Sequence, residues 1–212
     1  STGLFIHGNL RNQEMNNNGD SFLDVPLGEQ VNILNRWQYT DSKKGWVGFG
    51  SIRLMQDEKQ VGELGFIPEG DRYENLLWGS QINTNRIDTS LKIGYVFPEL
   101  SYKSFGFQSA YSNHRQEAFY GFRNYDIDHK SFYSNLLYNS IIGNTKNKFK
   151  LGFNFSYDHY LETVDAFYFN RNDISVGSFF EYSYDSLEDF NLVAGIRTVS
   201  YTHLTLPTKR SV

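Results

Sequence analysis

The chain has 212 residues, a net charge of -4 and no cysteine. This excludes disulfides, thiolate catalysis and Cys-ligated zinc, and leaves no broad basic surface for nucleic acid. A mean hydropathy of -0.52, with no apolar run near the roughly 18 residues of a spanning helix, excludes a helical membrane protein. Aromatics nevertheless reach 17%, with 18 Phe and 15 Tyr. Low hydropathy with many aromatics suits a transmembrane β-barrel, whose polar lumen dilutes its lipid face; a soluble β-sheet also alternates. The opening STGLFIHGNL carries no basic-then-apolar signal, so either a signal has been removed or the chain is an internal piece.

In chain order, Leu4, Ile6 and Gly8 alternate with Phe5, His7 and Asn9 in a first strand, and an Asn-rich polar stretch follows from Arg11 to Asp24. LGEQVNILNRWQYTD is a second strand, and Asp41 to Gly45 a tight turn. The third strand starts at Trp46 and runs to about Asp57, with its faces undecided: Trp46, Ile52 and Leu54 argue for one, Val47, Phe49 and Met55 for the other. After a long connection from about Glu58 to Ser80, Ile87, Leu91, Ile93, Tyr95 and Phe97 alternate with polar residues. Pro98 to Lys103 turns the chain, because Pro cannot continue a central strand.

Phe105, Phe107 and Tyr111 mark the fifth strand, and Arg115 to Lys130 reads as another long connection. Ser131 to Asp158 is the clearest unit, a hairpin around the polar turn Gly143–Asn147. In its second arm Phe149, Leu151, Phe153, Phe155 and Tyr157 oppose Lys150, Asn154 and Asp158, the period of an extended strand with one apolar face. A loop around Glu162 to Asn172, a strand over Ile174 to Tyr184, a turn over Asp185 to Asp189 and the strand FNLVAGIR complete the count of about nine. The connections after strands one, three, five and seven read as long, and those after two, four, six and eight as tight. Outer-membrane barrels segregate loop length by end in this way.

Residues that could carry chemistry are few. G-x-S-x-G, H-E-x-x-H and a phosphate-cradling Gly loop are all absent. Ser109 or Ser112 with His114 could serve an outer-membrane lipid enzyme; His7, His129 and His159 are scattered. Glu14, Asn16, Asn18, Asp20 and Asp24 form an alternating oxygen series around Gly19 that resembles a calcium loop. It opens on Glu and has Val25 where the closing Glu belongs, so an Asn-rich turn is the competing reading. Aromatics and Arg gather in the long connections: Tyr73 and Trp78 in one, Phe119, Tyr120, Arg123 and Tyr125 in the next. Such groups suit ligand capture by stacking and bidentate hydrogen bonding, and equally suit an aromatic girdle or loop packing.

The stretches FLDVPLGEQVNILNRWQY (22–39), GYVFP (94–98), FYGFRNYD (119–126), the hairpin from Ser131 and FFEYSY…FNLVAGIR (179–197), in this order and spacing, resemble the barrel of a TonB-dependent outer-membrane receptor. The resemblance covers residues 1–197. It implies an all-β, antiparallel transmembrane barrel of about 22 strands, of which this chain is a partial, open and curved sheet. It further implies a Gram-negative outer membrane, contact with its lipid, and a small-molecule nutrient as ligand. Energy would come from the TonB complex through a plug region missing from this sequence. It implies no cofactor, no nucleic acid and no enzymatic activity. An outer-membrane barrel enzyme acting on lipids and a soluble β-sheet binding module are the alternatives.

Residues 198–212 are expected to be non-native. VSYTHLTLPT matches the translation of a sequencing-library adapter, GTC TCT TAT ACA CAT CTG ACG CTG CCG ACG. Val199, Tyr201 and Thr205 have β-propensity enough to prolong the preceding strand by pairing. Leu206-Pro207 is expected to end that extension.

Overall fold

Alternation along the chain becomes pairing between neighbours in the computed structural model, which describes residues 1–74, 76–186 and 190–208 (side chains of 73 and 203–208 excepted). The strands are β1 (Thr2–Arg11), β2 (Leu27–Asp41), β3 (Trp46–Gly62), β4 (Gly79–Val96), β5 (Ser104–Tyr120), β6 (Arg123–Ile142), β7 (Asn144–Val164), β8 (Phe167–Asp185) and β9 (Asn191–Thr208). A short helix, α1 (Asp71–Glu74), lies between β3 and β4. All nine strands form one antiparallel sheet in sequence order. β1 and β9 are its two edges, so the sheet is open and not closed into a barrel. Among the described residues no helix is long and apolar enough to cross a membrane, which leaves strands unaddressed.

Register carries each apolar stripe into the next, because directly paired residues share a face. Phe153 pairs with Leu136 and Ser178, Leu151 with Tyr138 and Phe180, and Phe155 with Ser134 and Val176. The same face continues through Phe107, Ile93, Leu91 and Ile87 to Ile52, Leu54, Ile33 and Ile6, and on the other side to Ile196. Pairing also decides β3. Trp46, Ile52 and Leu54 share this apolar face, while Val47, Phe49 and Met55 lie on the other. Lys150, Asn154 and Asp158 occupy that second, polar face, as the alternation predicts.

Two expected long connections turn out to be strand. β5 continues to Tyr120 and β6 begins at Arg123; β7 continues to Val164 and β8 begins at Phe167. The turns at Gly121-Phe122 and Asp165-Ala166 have positive φ at their first residue, 59° and 51°, as primed hairpin turns require. The alternation fades here because polar side chains enter both faces, Arg115, Glu117, Asp126 and Asp128 on one and Gln116, His114 and Glu162 on the other. Backbone pairing has no such dependence on side chains, so the ladder runs on. Long connections are therefore 12–26 and 63–78, both at one end. Connections 42–45 and 97–103 and the turn after β6 lie at the other; the expected turn over 185–189 falls partly outside the described residues.

The end of β9 is a second correction. Leu206-Pro207 does not stop it, and pairing with β8 reaches Thr208 opposite Tyr168. β9 is an edge strand, the place in a sheet where Pro is tolerated. Burial is sparse throughout. Among the described residues the buried apolar side chains are Phe66, Ala118 and Phe119, whereas Phe153, Leu151, Ile87, Leu54, Ile6 and Ile196 are exposed.

Candidate functional site

The long-loop end is built around Phe119. Its ring lies 6.3 Å from that of Phe66, and the Arg72 guanidinium stands 4.0 Å above it. Arg72 Nη2 also donates to Asn124 Oδ1, across the β5–β6 turn. Gln60 Nε2 donates to the Phe66 carbonyl at 2.8 Å. Phe119 and Gln60 both belong to the apolar face by register, so segment 63–78 folds back over that side of the sheet. Gly79 permits this approach, since a Cβ there would come 2.2 Å from the Phe66 ring. The first loop docks on the second through the Phe22–Glu63 bridge, a Phe22–Trp78 ring contact at 6.2 Å and Gly65 N–H donating to Glu14 Oε1 at 3.0 Å.

The six residues proposed for ligand capture are thus divided. Phe119 is buried beneath Arg72 and faces the apolar side; Trp78 packs in the loop cluster beside Phe22 and Gly121. Tyr120, Arg123 and Tyr125 share the polar face. Tyr125 sits near the β5–β6 turn, beyond the apolar stripe. Its phenol is held above the ordinary tyrosine value, first by burial and then by the nearby Glu162 carboxylate. Tyr73 is on α1, and its side chain lies outside the described residues.

The calcium-like series spends its oxygens on its own loop. Asn16 Oδ1 accepts from Gly19 N–H at 2.7 Å, Asp20 Oδ1 from Phe22 N–H at 2.9 Å and Asp24 Oδ2 from Asn17 N–H at 2.6 Å. Asn18 Oδ1 accepts from Asp20 N–H at 3.2 Å, while Glu14 reaches Gly65 instead. The Asn18 and Asp20 bonds are Asx turns, and the Asn16 and Asp24 bonds close the loop over longer spans. Among the described residues, no group of three or more His, Asp or Glu side chains is placed to hold a metal ion.

A feature missed by sequence reasoning lies on the polar face. One cross-strand row reads Met55, Arg86, His114, His129, Tyr160, Arg171; the next, toward the short-turn end, reads Arg53, Asp88, Ser112, Ser131, Asp158, Asp173. The rows are tied together. Arg86 Nε meets Asp88 at 2.9 Å, His129 Nε2 meets Asp158 Oδ1 at 2.9 Å and Arg171 Nε meets Asp173 at 3.3 Å. The His129 ring stacks on Tyr160 at 4.0 Å and 6°, and the Arg171 guanidinium lies 4.2 Å from the same Tyr160 ring. No local motif announces this. It follows from the register, which brings residues far apart in sequence onto one line.

The geometry bears on the Ser–His pairing as well. Ser109 is on the apolar face and His114 on the polar one. Ser112 shares the face of His114 but donates its proton to Asp88 Oδ1 at 2.7 Å. Neither serine hydroxyl is directed at His114 as a nucleophile would be at its base. Comparison with known proteins adds no relative: no family model, curated protein or solved structure matches the chain.

Proposed function

We propose that residues 1–197 are part of the wall of a TonB-dependent importer in the outer membrane of a Gram-negative bacterium. The chain would itself have no enzymatic activity. One observation carries the reading: from β1 to Ile196 of β9 apolar side chains line one shared face, and among the described residues that face is covered only at its long-loop end, where segment 63–78 folds over it. Ordering a backbone costs about 1–2 kcal/mol per residue, and Phe66, Ala118 and Phe119, the buried apolar side chains among the described residues, cannot offset that across the sheet. Hydrocarbon outside the face, with further strands on both edges, supplies what is missing.

The dimensions agree with this reading. On β7 the apolar stripe runs from Phe149 to Tyr157, close to the roughly 9–11 residues with which a tilted strand spans a bilayer. Tyr39, Trp46, Tyr95, Tyr138 and Tyr182 share the apolar face near its short-turn margin, where amphipathic rings favour the headgroup boundary. The polar face would line the lumen, and the long-loop end would meet the nutrient, with Tyr120, Arg123 and Tyr125 the members aimed inward. Residues 198–212 stand outside this reading as a non-native tail.

Nitroxide labels placed singly from 149 to 156, in the chain reconstituted into bilayers, test the membrane face. Oxygen accessibility is expected to peak at 149, 151, 153 and 155 and fall between them. A flat profile would sink the proposal. The importer assignment is tested at the locus, where the coding sequence upstream of Ser1 should specify a plug domain.

A further inference from the structure

We infer that His114 and His129 together bind a divalent transition-metal ion of the zinc, nickel or copper kind through their two imidazoles. The two residues are direct partners in the β5–β6 ladder and share the polar face. Directly opposed residues hold their Cβ atoms about 4.5–5.5 Å apart. Two imidazoles on such a base can place one nitrogen each within the about 2.0–2.1 Å of a single ion that metal–imidazole bonds require.

His129 already has the second shell of a metal ligand. Its Nε2 lies 2.9 Å from Asp158 Oδ1, and a carboxylate there accepts the ring proton. In the neutral ring this puts the proton on Nε2 and leaves the Nδ1 lone pair for an ion, the carboxylate–histidine arrangement that orients metal-bound histidines. Stacking on Tyr160 sets the plane of the His129 ring across the row, so an ion in that plane is reached by the His114 ring leaning toward it. On the other side, His114 Nδ1 is buried with no hydrogen-bond partner. An unpaired buried nitrogen of this kind is costly, and a bound ion satisfies it. Arg86 stands next in the row; both Asp88 oxygens hold its Nε, at 2.9 and 3.0 Å, which offsets its charge at His114 only in part. The Asp158 charge remains to favour a cation.

No third His, Asp or Glu converges on the pair among the described residues. The ion would therefore keep open positions for solvent or for donor atoms of an incoming ligand, as ions with few protein ligands do. This inference does not depend on the membrane reading; either can fail alone.

The test uses the full chain in detergent micelles, titrated with Cu(II), Ni(II) or Zn(II) and followed by calorimetry. The Cu(II) complex is then examined by electron paramagnetic resonance. Saturable binding of one ion is expected, with hyperfine coupling to two imidazole nitrogens. Affinity should fall at least about tenfold in His114→Gln and in His129→Gln, and about 10–100-fold in Asp158→Asn. Protons compete with the ion for its ligand nitrogens, so binding should weaken as the solution is acidified. His7→Gln and His159→Gln should bind as the unaltered chain does; His159 Nδ1 is instead engaged with Asn172 at 2.6 Å on the opposite face. Coupling to fewer than two nitrogens, or unchanged affinity in His114→Gln and His129→Gln, overturns the assignment. Where a variant misfolds, coupling to fewer than two nitrogens in the unaltered chain still overturns the assignment.

Discussion

Phe153 and Asn154 are neighbours in sequence and occupy opposite faces of β7, with Phe153 paired to Leu136 and Asn154 to Asn135. If the apolar face meets hydrocarbon, Phe153→Arg near the bilayer midplane should cost about 2–4 kcal/mol. Asn154→Arg should cost far less, because its side chain enters the polar side. Denaturant titration of the reconstituted chain measures both; equal costs contradict the face assignment. A second residue-scale test concerns the loop packing. Gly79→Ala puts a Cβ where the Phe66 ring now lies, and relieving such overpacking typically costs about 1–3 kcal/mol. Segment 63–78 should then be cut faster by protease while the sheet stays protected. Unchanged cleavage would mean that Phe66 is not what fastens the loop.

At the scale of elements, loop length remains informative although two of the four expected long connections are hairpin turns. Both long loops emerge at the end of the sheet opposite 42–45, 97–103 and the turn after β6. In the proposed orientation that end is extracellular, so tags inserted in 12–26 or 63–78 should be stained on intact cells and tags at 42–45 should not. The opposite staining would invert the topology. The sequence made β2 legible to the residue, Leu27–Asp41, because its apolar stripe extends over most of its length. The ends of β5, β6, β7 and β8 were hidden for the converse reason: outside the apolar slab neither face is selected for hydrophobicity, so no period survives to be read. The undecided faces of β3 and the row of Arg86, His114, His129 and Arg171 needed register, a non-local quantity. Of the ligand-capture set, the residue types were visible, but their division by Phe119 and Tyr120 onto opposite faces depends on where the loop ends and the strand begins.

For the whole molecule, β1 and β9 leave two rows of backbone donors and acceptors unpaired, which hydrocarbon cannot satisfy. The chain alone should therefore give no discrete conductance steps in planar bilayers; steady unitary currents would indicate closure by other means. The edge at β9 carries the last test. Up to Ile196 the strand keeps phase with its neighbour, placing Leu192, Ala194 and Ile196 against Tyr184, Tyr182 and Phe180. Beyond Arg197 the phase inverts. Thr198, Ser200 and Thr202 fall opposite Ser178, Val176 and Ile174 on the apolar face, while Val199 and Tyr201 fall opposite Gly177 and Ser175 on the polar one. A native strand would continue its apolar stripe as far as Val176 and Ile174 do. Backbone pairing is indifferent to this, which is why β9 runs on to Thr208 although its side chains have changed sides. Resequencing the parent locus across the Arg197 codon, with a library chemistry that uses a different adapter, should replace residues 198–212 with a segment that restores apolar side chains opposite Val176 and Ile174. Recovery of SYTHLTLPT would instead make the inversion a property of the native strand, and the apolar face would then end at Ile196 on this edge.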